Sequence, residues 1–436
     1  MTDQRTIVFF PEGAYGPTNN CVGIARVLAD RGHRVVFVVE ESFAGTLEAK
    51  GFEEALMRLG PAPETPEEPG QFWMDFILAT APVFRRPTIE QLGGFLQPTW
   101  QALIDGSTYV EPRLRELFGE LRPDVIVEDN VVAFPAVAAS GCPWVRIMSC
   151  NPLEMPGLDL PPVFSGYPSD DRTAWDDFEA ERERTHRAMW EAFDDFVLHT
   201  VGTGLPVLRF IAESPNLNLY VCPAETDYRR SEPLAPTWHR LESCVRETDP
   251  AFEWPEGFEP DRAGTGRLLY LSLGSLGSAD VELMNRLVAI LAESPHRVIV
   301  STGPQHEQIE LAPNMWGEEF LPQTRILPNV DAVITHGGNN TVTECFHFGK
   351  PMVALPLFWD QYDNAQRVDE LGFGVRLDPY RCTGAELLGA IDRLLADEAL
   401  GRRMAGIAAR LQASRGTVKA ADLIERVADT GEAVTR

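Results

Sequence analysis

The feature that most constrains this chain is a recurring short run of apolar residues with no polar alternation. Ile7-Val-Phe-Phe10, Val35-Val-Phe-Val-Val39 and Asp124-Val-Ile-Val-Glu-Asp129 are early examples, and Pro143-Trp-Val-Arg-Ile-Met148 follows. Leu268-Leu-Tyr-Leu-Ser-Leu273, Val298-Ile-Val300, Ala332-Val-Ile-Thr335 and Met352-Val-Ala-Leu355 continue the series. A strand wetted on one face alternates apolar and polar residues, so unbroken runs point to strands buried on both faces of a parallel sheet. The segments between them read as helices. After the first run, Val22, Ile24, Ala25, Val27 and Leu28 suit a buried helical face, with Asn19 or Asn20 placed to cap it and Gly32 to end it. Strands joined by helices in this way form right-handed crossover units, and such sheets bind ligands outside the carboxyl ends of their strands.

At 436 residues the chain exceeds what one hydrophobic core usually serves. The strand series is interrupted between 223 and 264, where Pro223, Pro233, Pro236, Pro250, Pro255 and Pro260 leave little room for regular elements. The expected fold is therefore α/β, with two Rossmann-like domains at 1–222 and 265–415 joined by a linker at 223–264. The last stretch, 416–434, reads as a helix with Ala420, Leu423, Ile424 and Val427 on one side, placed to pack back on the N-terminal domain. Two irregular stretches, about 60–110 and 151–215, hold many aromatics, among them Phe72, Trp73, Phe76, Phe84, Trp100, Phe164 and Trp190. These serve as core or as the lining of a pocket for an apolar substrate.

Charge and cysteine usage exclude several functions. A net charge of −27 repels nucleic acid and anionic membrane surfaces, while a small anion can still be held at short range by a helix terminus. There is no apolar run of 18 residues and no secretory signal pattern at the N-terminus. Seven cysteines without framework spacing fit a reducing cytoplasm.

The chemistry concentrates in the second half. His336-Gly-Gly-Asn-Asn-Thr-Val-Thr-Glu344 follows one of the apolar runs and opens a helix. Its glycines clear space, the helix N-terminus offers free N–H groups to an anion, and His336, Asn340 and Thr341 add side-chain donors. Glu344 can accept from two adjacent ribose hydroxyls, or serve as a capping residue. Gly274-Ser275 ends another strand with small residues that allow backbone N–H groups to approach a phosphate, or make a simple turn. Trp359-Asp360-Gln361 follows the next strand, where an acid and an amide side by side suit sugar hydroxyls, or Asp360 caps a helix. Upstream, Phe320 and Gln323 offer a ring and an amide to a nucleobase.

Taken together, these pieces resemble the donor-binding signature of the UDP-glycosyltransferase family, the family-1 type with a GT-B fold. The matching residues are Phe320-Leu-Pro-Gln323, His336-Gly-Gly-x-Asn-Thr-x-x-Glu344, Gly349-Lys-Pro351, Pro356 and Asp360-Gln361-x-x-Asn364-Ala365. The resemblance implies two Rossmann-like domains facing each other across a cleft. It implies an inverting hexosyltransferase that uses a UDP- or dTDP-sugar as co-substrate, with no metal and no resident cofactor. Its acceptor would be a small apolar natural product or xenobiotic, and glucose the favoured sugar because Gln361 needs hydroxyls to bond. By position, Phe320 would stack on the base, with Gln323 near base and ribose. His336, Gly338, Asn340, Thr341 and Ser275 would hold the diphosphate, Glu344 the ribose, and Trp359, Asp360 and Gln361 the sugar. A monomer or homodimer of bacterial origin is expected, with neither nucleic acid nor membrane as partner.

One departure bears on mechanism. The family's first loop carries a histidine that deprotonates the acceptor, and that position falls on Pro17 here, in a loop (residues 11–20) with no histidine. Glu12, the loop's carboxylate, and Asp129, at the place of the family's orienting aspartate, are the candidate catalytic residues, each with a structural alternative as a loop or bracing group. His186 and His199 are outside candidates, and His33 reads as structural. The missing histidine also leaves open a catalytically silent sugar-nucleotide-binding auxiliary protein.

Overall fold

The computed structural model describes residues 4–62, 71–155, 157, 159–260, 262 and 266–436, without the side chains of Tyr15, Phe72 and Trp73. The expected domain limits at 1, 264 and 265 thus lie outside the described residues.

Two parallel sheets form. The first contains β1 (Thr6–Pro11), β2 (Arg34–Glu40), β3 (Glu53–Met57), β4 (Val125–Asp129), β5 (Trp144–Met148), β6 (Leu217–Tyr220) and β7 (Trp238–Arg240). Their order is β3-β2-β1-β4-β5-β6-β7. The second contains β8 (Leu268–Ser272), β9 (Arg297–Ser301), β10 (Met315–Glu318), β11 (Ala332–Thr335), β12 (Met352–Ala354) and β13 (Gly374–Arg376), in the order β10-β9-β8-β11-β12-β13. The unbroken apolar runs are explained by burial on both faces. Ile7, Phe9, Val35 and Phe37 enter one core layer, while Val8, Phe10, Val36 and Val38 enter the other.

Each sheet reverses its winding once, between β1 and β4 in the first and between β8 and β11 in the second. Such switch points leave a crevice beyond the strand ends where a ligand can sit. Register places Pro11 beside Asp129 at one crevice and Ser272 beside Thr335 at the other. The residues of interest therefore leave the sheets side by side.

Three local expectations need correction. The helix after β1 spans Tyr15–Asp30, so Asn19 and Asn20 lie inside it and neither caps it. Pro17 is tolerated because N–H groups in a first turn lack intrahelical partners anyway. The stretch expected as a bare linker, 223–264, contributes the edge strand β7, anchored by Trp238, which is 1% exposed. An edge position accommodates the neighbouring prolines. Finally, the last helix spans Gly416–Thr430 and stops at Gly431, whose φ of 67° is the left-handed turn that ends helices. Beyond it, the Val434 N–H donates to Asn216 O at 2.8 Å.

The C-terminal helix buries Ala420, Ala421, Ile424 and Val427 in the same layer as Val22, Ile24 and Leu28. His33 works structurally there, with Nε2 2.9 Å from Glu425 Oε1. Ile424 is fully buried, so Ile424→Ala should cost about 3 kcal/mol through lost transfer energy and a residual cavity. Urea unfolding followed by circular dichroism measures this, and an unchanged midpoint would show that the helix is dispensable to the N-terminal layer.

Candidate active site

A cleft of about 710 Å³ opens between the two switch points. Its second-sheet wall carries Ser275, Phe320, Gln323, His336, Gly338, Asn340, Thr341, Glu344, Trp359, Asp360 and Gln361. Glu12 lies on the opposite wall, with Gly16 and Pro17. Asp129 is not on the wall; it is 4% exposed and sits behind Ser149.

The anion end is built by the helix Asn339–Phe348. Its N-cap is Gly338, which offers no side-chain hydrogen bond, so the first-turn N–H groups face the cleft without intrahelical partners. Gly338 is required for a steric reason, because a Cβ there would lie 2.5 Å from His336 Nε2. Gly274, with φ of 73°, approaches the other side of that ring, where a Cβ would lie 2.9 Å away. The two glycines thus bracket the imidazole. Burial lowers the His336 pKa to about 4. The ring is therefore neutral near pH 7 and acts as a hydrogen-bond donor without carrying charge.

Glu344 lies deeper, with its side chain 5% exposed. Arg246 Nη1 donates to its Oε1 at 2.9 Å, and Gln323 Nε2 donates to its Oε2 at 2.5 Å. Arg246 also grips Asp249 through two bonds, of 2.7 and 2.9 Å, and Asp249 accepts from Thr324 Oγ1 at 2.9 Å. Burial raises the Glu344 pKa, while Arg246 opposes the rise. Arg246 and Asp249 escaped the sequence reading because nothing about an Arg-x-x-Asp spacing in a proline-rich stretch signals a contact 98 residues away.

Three expected donor-site residues are already engaged across or along the cleft. Asn340 Nδ2 donates to Gly16 O at 2.8 Å. Asp360 stands at a helix N-cap but does not cap it; its Oδ2 accepts the Asn151 N–H at 2.8 Å from the other domain. Gln361 Oε1 accepts the Leu357 N–H at 3.0 Å, which fixes the turn ahead of its helix. Trp359 has φ of 58° and packs against Trp100 and Phe164 at 4.9 and 4.8 Å. Phe320 is 55% exposed at the rim of the cleft.

The proton chemistry lies on the first-sheet wall. Burial, with the charges of Asp129, Glu40 and Asp360 beside it, pushes the Glu12 carboxyl up to about 8. Burial also raises Asp129, to about 7, against hydrogen bonds from Ser149 and the charge of Arg146. At neutral pH Glu12 is mostly protonated, so the loop carboxyl is poorly suited to accept a proton. The outside histidines do not line the cleft. His186 is buried beside Thr185, with its pKa lowered to about 4, and the exposed His199 bonds Asp195 O at 2.5 Å. Phe76, Ile77, Phe95, Leu103 and Val131 form an apolar patch on the first-sheet wall, which also carries Asn19, Lys50, Thr99, Ser149 and Cys150.

Residues 246–406 match the family described as UDP-glucoronosyl and UDP-glucosyl transferase. Over 429 residues the chain is 25% identical to demethyllactenocin mycarosyltransferase of Streptomyces fradiae, covering 96% of this chain and 86% of that one. Over 426 residues it is 25% identical to NDP-glycosyltransferase YjiC of Bacillus subtilis, covering 94% of each. A crystal structure of the kitacinnamycin glycotransferase superposes with a TM-score of 0.67 at 23% identity, covering 98% and 99% of the two chains.

The Arg246 clamp makes a pH-dependent prediction. Arg246→Ala removes the charge that holds the Glu344 carboxyl down, so that carboxyl should protonate at higher pH than in the wild type. Affinity for UDP or dTDP should then fall more steeply in the variant than in the wild type as pH is lowered. Calorimetric titration across a pH series tests it, and parallel slopes would sink the clamp's role.

Proposed function

We propose, from the match of residues 246–406 to the UDP-glucoronosyl and UDP-glucosyl transferase family and the 25% identity to bacterial glycosyltransferases along nearly the whole chain, that this protein is a nucleotide-sugar-dependent glycosyltransferase of that family with a GT-B fold. In this reading it moves a hexose, glucose foremost, from a UDP- or dTDP-sugar to a hydroxyl of a small apolar natural product or xenobiotic, with inversion. The observation that carries this reading is the two-sided cleft. One wall presents helix-terminal N–H groups, His336 and Glu344; the other presents Phe76, Ile77, Phe95, Leu103 and Val131. A diphosphate sugar suits the first and an apolar acceptor the second. The named relatives, one of which glycosylates demethyllactenocin, lend support.

In this reading the acceptor oxygen attacks the anomeric carbon from the first-sheet side as the diphosphate leaves towards the helix Asn339–Phe348. The negative charge that develops on the diphosphate is stabilised by the helix N-terminus, the neutral His336 N–H and Thr341. Glu344 and Gln323 hold the ribose, Phe320 covers the base, and Trp359, Asp360 and Gln361 border the sugar. Seven cysteines without a disulfide fit a reducing compartment, and we place the protein in the cytoplasm.

The test is mass spectrometry of products formed from UDP-glucose and dTDP-glucose with a panel of phenolic and polycyclic alcohols. A product heavier than its acceptor by one hexosyl unit is expected. Tight nucleotide binding without any product would favour a silent binding protein instead. Phe76 is half-buried on the apolar wall, and Phe76→Ala should raise acceptor KM by about ten-fold, through roughly 1–2 kcal/mol of lost apolar contact, with nucleotide affinity unchanged.

A further inference from the structure

The first helix and the end of β5 bring Asn20, Ser149 and Asp129 into one hydrogen-bonded chain that the loop sequence does not show. Ser149 directly follows β5, is half-buried, and lines the cleft, whereas Asp129 does not. The Ser149 hydroxyl donates to Asp129 Oδ2, and its oxygen accepts from Asn20 Nδ2 at 2.9 Å. A hydroxyl has one proton and two acceptor sites. Here the proton is committed to Asp129 and one acceptor site to Asn20, which leaves one acceptor site for a hydroxyl in the cleft. Asn20 lies three residues beyond Pro17, the position where the family's histidine falls, so both project from the same face of the helix Tyr15–Asp30. The donor side is fixed to the same point, because Asn339 Nδ2 donates to Ser149 O at 2.8 Å. Ser149 therefore sits where the acceptor wall meets the N-terminus of the donor helix.

We propose that Ser149 is a catalytic residue that relays the acceptor's proton to Asp129. The inference rests on the transferase reading above. In the step, the acceptor O–H gives its proton to Ser149 Oγ while the Ser149 proton passes to Asp129 Oδ2. The acceptor oxygen forms its bond to the anomeric carbon, and the bond from that carbon to the diphosphate oxygen breaks, its electron pair leaving with the nucleotide. The serine ends neutral, Asp129 ends protonated, and solvent restores it. Asn20 orients the serine so that its proton points to Asp129. Glu12, protonated near neutrality, borders the cleft, and its backbone N–H donates to Asp129 O at 2.9 Å.

Acceptors of different acidity test this. An aliphatic alcohol needs a base, whereas a nitrophenol ionised at the assay pH does not. Ser149→Ala should lower kcat for the alcohol by about 10²–10⁴-fold, the usual range for general-base assistance, and leave the nitrophenol within a few-fold of wild type. Asp129→Asn, which keeps the shape, should show the same split, and Ser149→Thr should recover much of the alcohol rate. UDP affinity, measured alongside, should be unchanged in all three. Equal losses on both acceptors, or wild-type alcohol transfer in Ser149→Ala, would overturn the relay while leaving the transferase reading intact. A Glu12→Gln chain that loses alcohol transfer while Ser149→Ala keeps it would assign the base to Glu12 instead. A wild-type chain that transfers to no acceptor removes both the transferase reading and the relay.

Discussion

The structure depends on a set of polar stitches across the cleft, gathered where the strands of the first sheet end. Asn339 donates to the carbonyls of Ser149 and Val221, the Asn151 N–H donates to Asp360, and Asp363 accepts the N–H groups of Phe164 and Gly166 at 2.6 and 2.8 Å. These bonds place the donor helix against the segment 149–151, so donor and acceptor walls share one reference point. They are also exchangeable, since each hydrogen bond contributes only about 0.5–1.5 kcal/mol relative to its hydration. Together they set the two walls of the cleft in register. The aromatic contacts of Trp100 and Phe164 with Trp359 add an apolar seal at the sugar end.

The same geometry answers how a chain of net charge −27 accommodates a diphosphate. Many acids around the cleft are not fully charged. Burial lifts Glu12 and Glu154 to about 8, and Asp129 and Asp363 to about 7. Burial raises Glu344 as well, while the Arg246 guanidinium 2.9 Å away opposes the rise. The anion therefore meets N–H groups and a neutral imidazole, with the repulsive carboxylates muted by their surroundings. Global charge governs solubility and long-range partners, while short-range dipoles decide what the cleft holds.

Much of this was readable in the sequence, and the exceptions have physical causes. Apolar runs without alternation report two-sided burial, so the two parallel sheets follow from β1, β4, β8 and β11 alone. The second-sheet wall of the cleft is partly legible: His336 precedes the helix Asn339–Phe348 and Gly338 caps it, while Glu344 lies beyond the first turn and so is not the capping residue the sequence also allowed. What stayed hidden is tertiary. The partners Ser149 and Asp129 lie 20 residues apart, Arg246 and Glu344 lie 98 apart, and neither spacing has a period. Asn20 looked like a cap because Asn favours that role; the helix began earlier and released it for Ser149. In β7, one buried tryptophan outweighed the surrounding prolines.

The division of labour between the two candidate carboxyls also has its origin in strand pairing. Consecutive residues of β4 point to opposite faces, so the Glu128 and Asp129 side chains leave the strand on opposite sides. Register sets Glu128 opposite Arg146 of β5, where the two form a fully buried pair at 3.0 Å. Arg146 is held there by the carbonyls of Asn130 and Ala212. Its charge reaches Asp129 on the other face and favours the ionised form, and Ser149 adds hydrogen bonds to the same carboxylate. Glu12 has the opposite surroundings, with three acids nearby and burial all favouring its neutral form. Burial raises both carboxyls, Glu12 to about 8 and Asp129 to about 7, but only Asp129 has Arg146 and Ser149 opposing the rise. The one placed to hold a charge is the one that Ser149 connects to the cleft.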